Sequence, residues 1–121
     1  MDISVILVSY NTIEMTKKAL NDLFASVGNL ELEVFIVDNA SRDNSVEVLR
    51  REYPNITLIE NNKNVGFGRA NNQALPFIKG RYVLLLNTDA FVEPDTLIKT
   101  KQYMDLHPKC GMVGVKLVGR D

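Results

Sequence analysis

Five short apolar runs constrain this chain more than any other feature of it. ISVILVS (residues 3–9), LEVFIVD (32–38), ITLIE (56–60), YVLLLN (82–87) and GMVGVKL (111–117) are rich in β-branched residues and nearly continuous. Strands with one wet face alternate, so continuous runs predict strands covered on both faces. Helix-period segments lie between them. The first carries Leu20, Leu23, Phe24 and Val27 behind Asn11 and Glu14, spaced as a capping box. The second is entered through SRDNS, carries Val46, Leu49 and Tyr53, and is stopped by Pro54. The third carries Ala70, Ala74, Phe77 and Ile78, with Pro76 in its last turn and Gly80 as a left-handed cap. The fourth starts at Pro94 and runs to about His107, before Pro108. Strand and helix alternating in this way predict right-handed βαβ units, hence an α/β fold with a mainly parallel sheet and helices on both faces. A chain of 121 residues, 45% hydrophobic, can bury one core but hardly two, so residues 1–121 read as one unit.

Charge and cysteine content remove several function classes. Fourteen Lys and Arg against fifteen Asp and Glu leave a net charge of -1, with no basic stripe to track a phosphate backbone, which argues against nucleic acid as a partner. The single cysteine, Cys110, has no intrachain partner for a disulfide, and the opening MDISVILVSYN lacks a charged leader and a cleavage site. Both point to the cytoplasm. Asn39-Ala-Ser and Asn55-Ile-Thr are therefore read as chance sequons. No apolar run approaches the roughly 20 residues of a membrane span, so any membrane association is expected to be peripheral, at the inner face.

In open parallel sheets ligands bind beyond the carboxyl ends of the strands, where strand order reverses. The residues released there are polar: Ser9-Tyr10-Asn11, Asp38-Asn39-Ala40-Ser41, the loop 61–68, and Asn87-Thr88-Asp89. Taken singly they have ordinary structural readings. Asn11 can cap a helix, Asp38 with Ser41 can form an Asx or Ser turn, and Tyr10 can be a half-buried aromatic. Four polar segments on one rim point instead to a ligand. Asp89 is the sharpest case, because a carboxylate at the end of a buried strand is costly to desolvate unless a cation or a set of donors meets it. A dinucleotide site is excluded by the absence of GxGxxG after the first strand, and there is neither a GxxxxGK[ST] loop nor a pair of histidines for zinc. Cys110 and the lone His107 read as a chance neighbourhood rather than a catalytic pair.

VSYN (8–11), VDNASRDNS (37–45), NNKNVGFGRANNQA (61–74) and LLLNTDAFVEPDTL (84–97) resemble, in order, the motifs of the inverting family 2 glycosyltransferases with the A-type nucleotide-sugar fold. The resemblance covers essentially the whole chain and is nearest to the rhamnosyltransferase-like branch. It implies a Rossmann-like nucleotide-diphospho-sugar transferase fold. The activity implied is transfer of a sugar, rhamnose first, from a dTDP- or UDP-sugar to a saccharide or lipid-linked saccharide acceptor in cell-surface polysaccharide synthesis.

Carried over position by position, Tyr10 would stack on the base, bordered by Ser9 and Asn11, and Asp38 would accept the ring N–H of uracil or thymine. Asn39, standing where the motif commonly has a second Asp, would lie by the ribose. Gly66 would let backbone approach the ligand, Arg69 would lie near the diphosphate, and Asn72 would support the site. LLLNTDAF resembles a DxD motif with Asn87 as its first member and Asp89 as its second, and Asp89 would hold Mg²⁺ or Mn²⁺ bridging the two phosphates. An inverting transfer also needs a carboxylate base. Family members continue beyond VKLVGRD, so the chain is expected to be the donor-binding part of a longer enzyme, without the acceptor and base half. Asp95, Asp105 and Asp121 lie outside the matching motifs, and no catalytic residue is assigned. The alternatives are a sugar nucleotidyltransferase, which should open with a Gly-rich, Arg-containing loop, and a non-catalytic α/β nucleotide-binding or interaction module.

Overall fold

The computed structural model describes residues 2–25, 30–86, 101–102, 105–106 and 112–113. Its elements run β1 (Ile3–Ser9), α1 (Ile13–Ala25), β2 (Leu32–Asp38), α2 (Ser45–Glu52), β3 (Thr57–Glu60), α3 (Phe67–Ala74), β4 (Tyr82–Leu86) and β5 (Met112–Val113). Residues 101, 102, 105 and 106 have helical backbone, within the span read as the fourth helix; the rest of that span lies outside the described residues. The five strands form one sheet in the order β3-β2-β1-β4-β5, and every described pairing is parallel. Strand order reverses between β1 and β4, so the chain winds outward first to one side of β1 and then to the other.

The continuous apolar runs are explained by two cores. Ile3, Val5 and Leu7 of β1, with Val34 and Ile36 of β2 and Leu84 and Leu86 of β4, pack against Ala19, Leu20 and Leu23 of α1 and Leu49 of α2. Their in-between neighbours Ile6, Phe35, Val37 and Val83 pack on the other face against Ala70 and Ala74 of α3. The period-2 geometry of a strand assigns odd and even positions of β1 to opposite cores, and this parity decides where the rim side chains go.

Three local expectations are corrected. Asn11 does not cap α1: it adopts φ 52°, and the helix instead begins after Thr12, whose carbonyl accepts the Thr16 N–H at 2.8 Å. The third helix ends at Ala74, and Leu75–Phe77 tighten into a 3₁₀ turn, because Pro76 has no N–H to give and its ring crowds the preceding turn. Phe77, read as a core position, is 61% exposed as a result. Gly80 is not a left-handed cap. It is glycine because the chain returning to β4 passes so close to β1 that a Cβ there would stand 2.5 Å from Ser4 Oγ and 2.8 Å from the Ile3 carbonyl carbon.

Candidate functional site

At the carboxyl ends of β1, β2 and β3 lies a cavity of about 590 Å³. Tyr10 lines it from β1, Asp38, Ala40 and Ser41 from β2, and Glu60 with residues 61–64 from β3. Tyr10 is 43% exposed. Asp38 is almost fully buried and its carboxylate is organised by one residue: Oδ2 accepts the Ser41 N–H at 2.9 Å and Oδ1 the Ser41 hydroxyl at 2.6 Å. The turn that permits this passes through Ala40 at φ 64°, a left-handed conformation that L side chains seldom adopt. Strain of this kind persists only where the surroundings over-determine it.

Those surroundings come from Asn11. Its N–H donates to Ser41 Oγ at 2.9 Å and its Oδ1 accepts the Arg42 N–H at 2.6 Å, so the loops after β1 and β2 are clasped in both directions. Ser41 is the pivot, because its hydroxyl donates to Asp38 while accepting from Asn11. Spacing alone left Ser41 as a turn residue; its double role depends on a contact with a residue 30 positions away.

Ser9, expected to border the base, sends its side chain elsewhere. As an odd position of β1 it faces α1, is fully buried, and joins Thr12 (3.4 Å) and Thr16 (3.0 Å) in a hydroxyl cluster under the helix start. Asn39, with one place more than Asp38 along the chain, faces the α3 side. It is buried, and its Oδ1 accepts from Asn61 Nδ2 (3.0 Å) and the Val65 N–H (3.3 Å). Asn39 is therefore a brace for the 61–66 loop, not an open hydrogen-bonding group. Gly66 takes φ 85° as the residue before α3, and its N–H donates to Asn64 Oδ1 at 2.8 Å. Arg69 and Asn72 are exposed on α3 and do not line the cavity. Asn71, adjacent to the Asn72 singled out from the motif, is the buried member of the pair: Nδ2 donates to the Phe67 carbonyl at 3.1 Å, and Oδ1 has no partner among the described residues.

Glu60, Arg42 and Lys63 were not singled out, although all three line the cavity. Their rim positions at strand ends were the available signal. Glu60 Oε2 accepts from Arg50 Nη2 of α2 at 3.0 Å.

Asn87 and Asp89, the DxD-like pair, lie outside the described residues. Among the described residues no three His, Cys, Asp or Glu side chains come together. Asp105 is at the opposite rim, beside the start of β4, where it accepts from the Tyr82 hydroxyl at 2.5 Å and pairs with Lys101 at 2.8 Å. What the described cavity offers is stacking, carboxylate acceptors and amide donors, the equipment of a binding site for a planar, N–H-bearing ligand.

Comparison with known proteins gives a consistent picture. The profile of Glycosyl transferase family 2 matches residues 4–120. The poly(ribitol-phosphate) beta-glucosyltransferase of Bacillus spizizenii is 28% identical over 104 residues, covering 82% of this chain and 16% of that protein. Staphylococcus aureus TarS in complex with UDP-GlcNAc superposes with a TM-score of 0.78 at 29% identity, over 89% of this chain and 32% of that one. A mannosyltransferase from Pyrobaculum calidifontis in complex with GDP-Man and Mn²⁺ does so at 0.76 and 28%, over 84% and 32%. The chain thus spans about a third or less of the proteins it matches. None of the described helices is long and apolar enough to cross a membrane.

Proposed function

The chain belongs to glycosyl transferase family 2, and from that premise we propose that its rim cavity takes the nucleoside diphosphate of an activated sugar whose glycosyl group passes to a saccharide or lipid-linked saccharide acceptor. The observation that carries this reading is the meeting of Tyr10 and Asp38 in one cavity at the ends of neighbouring strands. Tyr10 supplies a face on which any base can stack. Asp38 supplies the discrimination. Both of its oxygens already accept from Ser41, yet a carboxylate has about four acceptor positions, so it can still take the ring N–H of uracil or thymine. The UDP-GlcNAc complex of TarS supports a pyrimidine nucleotide. Asn11 and Asn39 serve as braces in this reading, Gly66 sets the start of α3, Arg69 is assigned to the diphosphate side by its place in the motif alone, and Asn72 supports the site. The resemblance to the rhamnosyltransferase-like branch is the sole ground for taking dTDP-rhamnose as the first donor to test, with inversion at the transferred carbon and cytoplasmic action, at the inner membrane face, as further parts of the same reading.

Losing one charge-assisted hydrogen bond costs roughly 1.5 to 3 kcal/mol. Asp38→Ala should therefore weaken UDP or dTDP about tenfold or more by calorimetry. Equal affinity of the unaltered chain for GDP and dTDP would remove Asp38 from base recognition.

We place the metal role on Asp89, with Asn87 offering a neutral oxygen. A divalent ion there would supply Lewis-acid stabilisation to the departing diphosphate. The Mn²⁺ complex of the Pyrobaculum relative supports the use of a divalent ion, and the DxD-like motif alone assigns it to Asp89. Metal and nucleotide should then bind with positive, reciprocal coupling of about 1 to 3 kcal/mol. Asp89→Asn keeps the shape and removes the charge, so Mn²⁺ should cease to tighten nucleotide binding while the melting temperature holds. A destabilised variant with intact Mn²⁺ enhancement would instead mark Asp89 as a turn residue.

A further inference from the structure

Gln73 does not line the cavity, yet it closes the hydrogen-bond network on which one wall of the cavity hangs. That wall is residues 61–64, which have no regular structure of their own. At its near end the Asn61 N–H donates to the Asp38 carbonyl at 2.9 Å, prolonging the β2–β3 pairing by one bond. At its far end Asn64 Oδ1 accepts the Gly66 N–H and Asn39 Oδ1 accepts the Val65 N–H. Between these points Asn62, Lys63 and Asn64 are exposed.

The side chain of Asn61 meets that of Gln73 in a closed amide pair. Asn61 Nδ2 donates to Gln73 Oε1 and Gln73 Nε2 donates to Asn61 Oδ1, both at 2.8 Å. Main-chain groups dictate the orientation of all three amides. The Val65 N–H can only donate and the Gly66 carbonyl can only accept, so Asn39 must present Oδ1 to the first and Nδ2 to the second. Asn61 must then offer Nδ2 to Asn39 Oδ1, and Gln73 must offer Oε1 to the same Asn61 nitrogen. Only one arrangement of the three amides satisfies every group. The chain of bonds runs from the end of β2, through the start of the wall, into the body of α3, which is anchored by Ala70 and Ala74 in the core.

We infer that Gln73 is a positioning residue for nucleotide recognition, holding the 61–64 wall through Asn61 at the spacing that lets the cavity discriminate one base from another. The inference rests on the nucleotide reading above. It predicts an effect on selectivity, which a general loss of stability does not produce: a loosened wall accepts bases of either size, whereas partial unfolding weakens every nucleotide alike.

The test is calorimetric titration of the chain with UDP and with GDP, for the unaltered protein, Gln73→Ala and Gln73→Glu, alongside melting curves. Gln73→Ala removes both bonds of the pair, so UDP affinity should fall about tenfold and the ratio of UDP to GDP affinity should contract towards one. Gln73→Glu keeps an acceptor for Asn61 Nδ2 but at neutral pH has no donor for Asn61 Oδ1, so it should fall between the other two; it also carries the test should the alanine variant not fold. Unchanged UDP affinity, or an equal loss for both nucleotides with the ratio preserved, would overturn the positioning role alone. Failure of the unaltered chain to bind any nucleoside diphosphate would overturn the nucleotide reading and this inference with it.

Discussion

Gly80→Ala should lower the unfolding free energy by about 3 kcal/mol, the upper part of the range for an added methyl that nothing can make room for. The new Cβ would stand 2.5 Å from Ser4 Oγ and 2.8 Å from the Ile3 carbonyl carbon, and closer still to the Ser4 nitrogen. Two of these atoms are backbone of β1, the central strand, which is hydrogen-bonded on both edges and cannot retreat. Moving the 78–81 turn instead would draw the Gly80 N–H away from Ser4 Oγ (2.8 Å) and Glu33 Oε2 (3.1 Å). Urea unfolding of the two proteins measures the difference. Gly80→Asn separates close approach from helix capping, because Asn tolerates a left-handed cap but brings the same Cβ. A stable Asn variant would restore the capping explanation.

Glu33→Ala should cost about 2 to 4 kcal/mol, since it strips acceptors from several donors at once. The carboxylate lies on the α3 side of β2, at the rim opposite the cavity. Its Oε2 accepts the Ser4 hydroxyl at 2.5 Å, the Gly80 N–H at 3.1 Å and the Lys79 N–H. Partial burial pushes the Glu33 carboxyl up, but the bonds from Ser4, Lys79 and Gly80 outweigh it and hold the group below its ordinary value. A carboxylate depressed in the folded state contributes stability that is fully present above its unfolded value of about 4.3 and is lost as pH falls through the folded value. The unaltered protein should therefore lose stability below about pH 4.3 more steeply than Glu33→Gln, which accepts hydrogen bonds without titrating. Parallel pH profiles for the two proteins would refute this assignment.

Strands β1, β2 and β4 were legible because they are covered on both faces and so advertise themselves as unbroken apolar runs, falling where ISVILVS, LEVFIVD and YVLLL stand. The polar rim was legible for the same reason, since polar residues directly after such runs have to emerge at the strand ends. The partners were not. Asn11 was read as a helix cap because Glu14 has the right local spacing, but the rival partners at Ser41 and Arg42 come from 30 residues away and are set by strand register. Ser9 shares a motif with Tyr10 and Asn11, and so is expected to border the base, whereas period-2 parity turns it under α1. Gly80 announces only that something unusual happens there; a close approach between positions 76 residues apart leaves no local trace.

The place of β1 in the sheet has a consequence for how the chain is made. It leaves the ribosome before both of its neighbours, and one of its edges pairs with residues 32–38 and the other with residues 82–86. Once β2 and β3 have joined it, the growing chain carries a three-stranded half-sheet whose inner edge is bare along Ile3–Leu7 until the codons for β4 have been read. A bare apolar edge is a template for pairing with any other extended chain. Parallel strands joined by long crossovers also find one another slowly. The interval between synthesis of Glu60 and Leu86 is thus the time when neighbouring nascent chains on one message are most apt to stick together, and slowing translation across that interval should lower the yield of soluble protein.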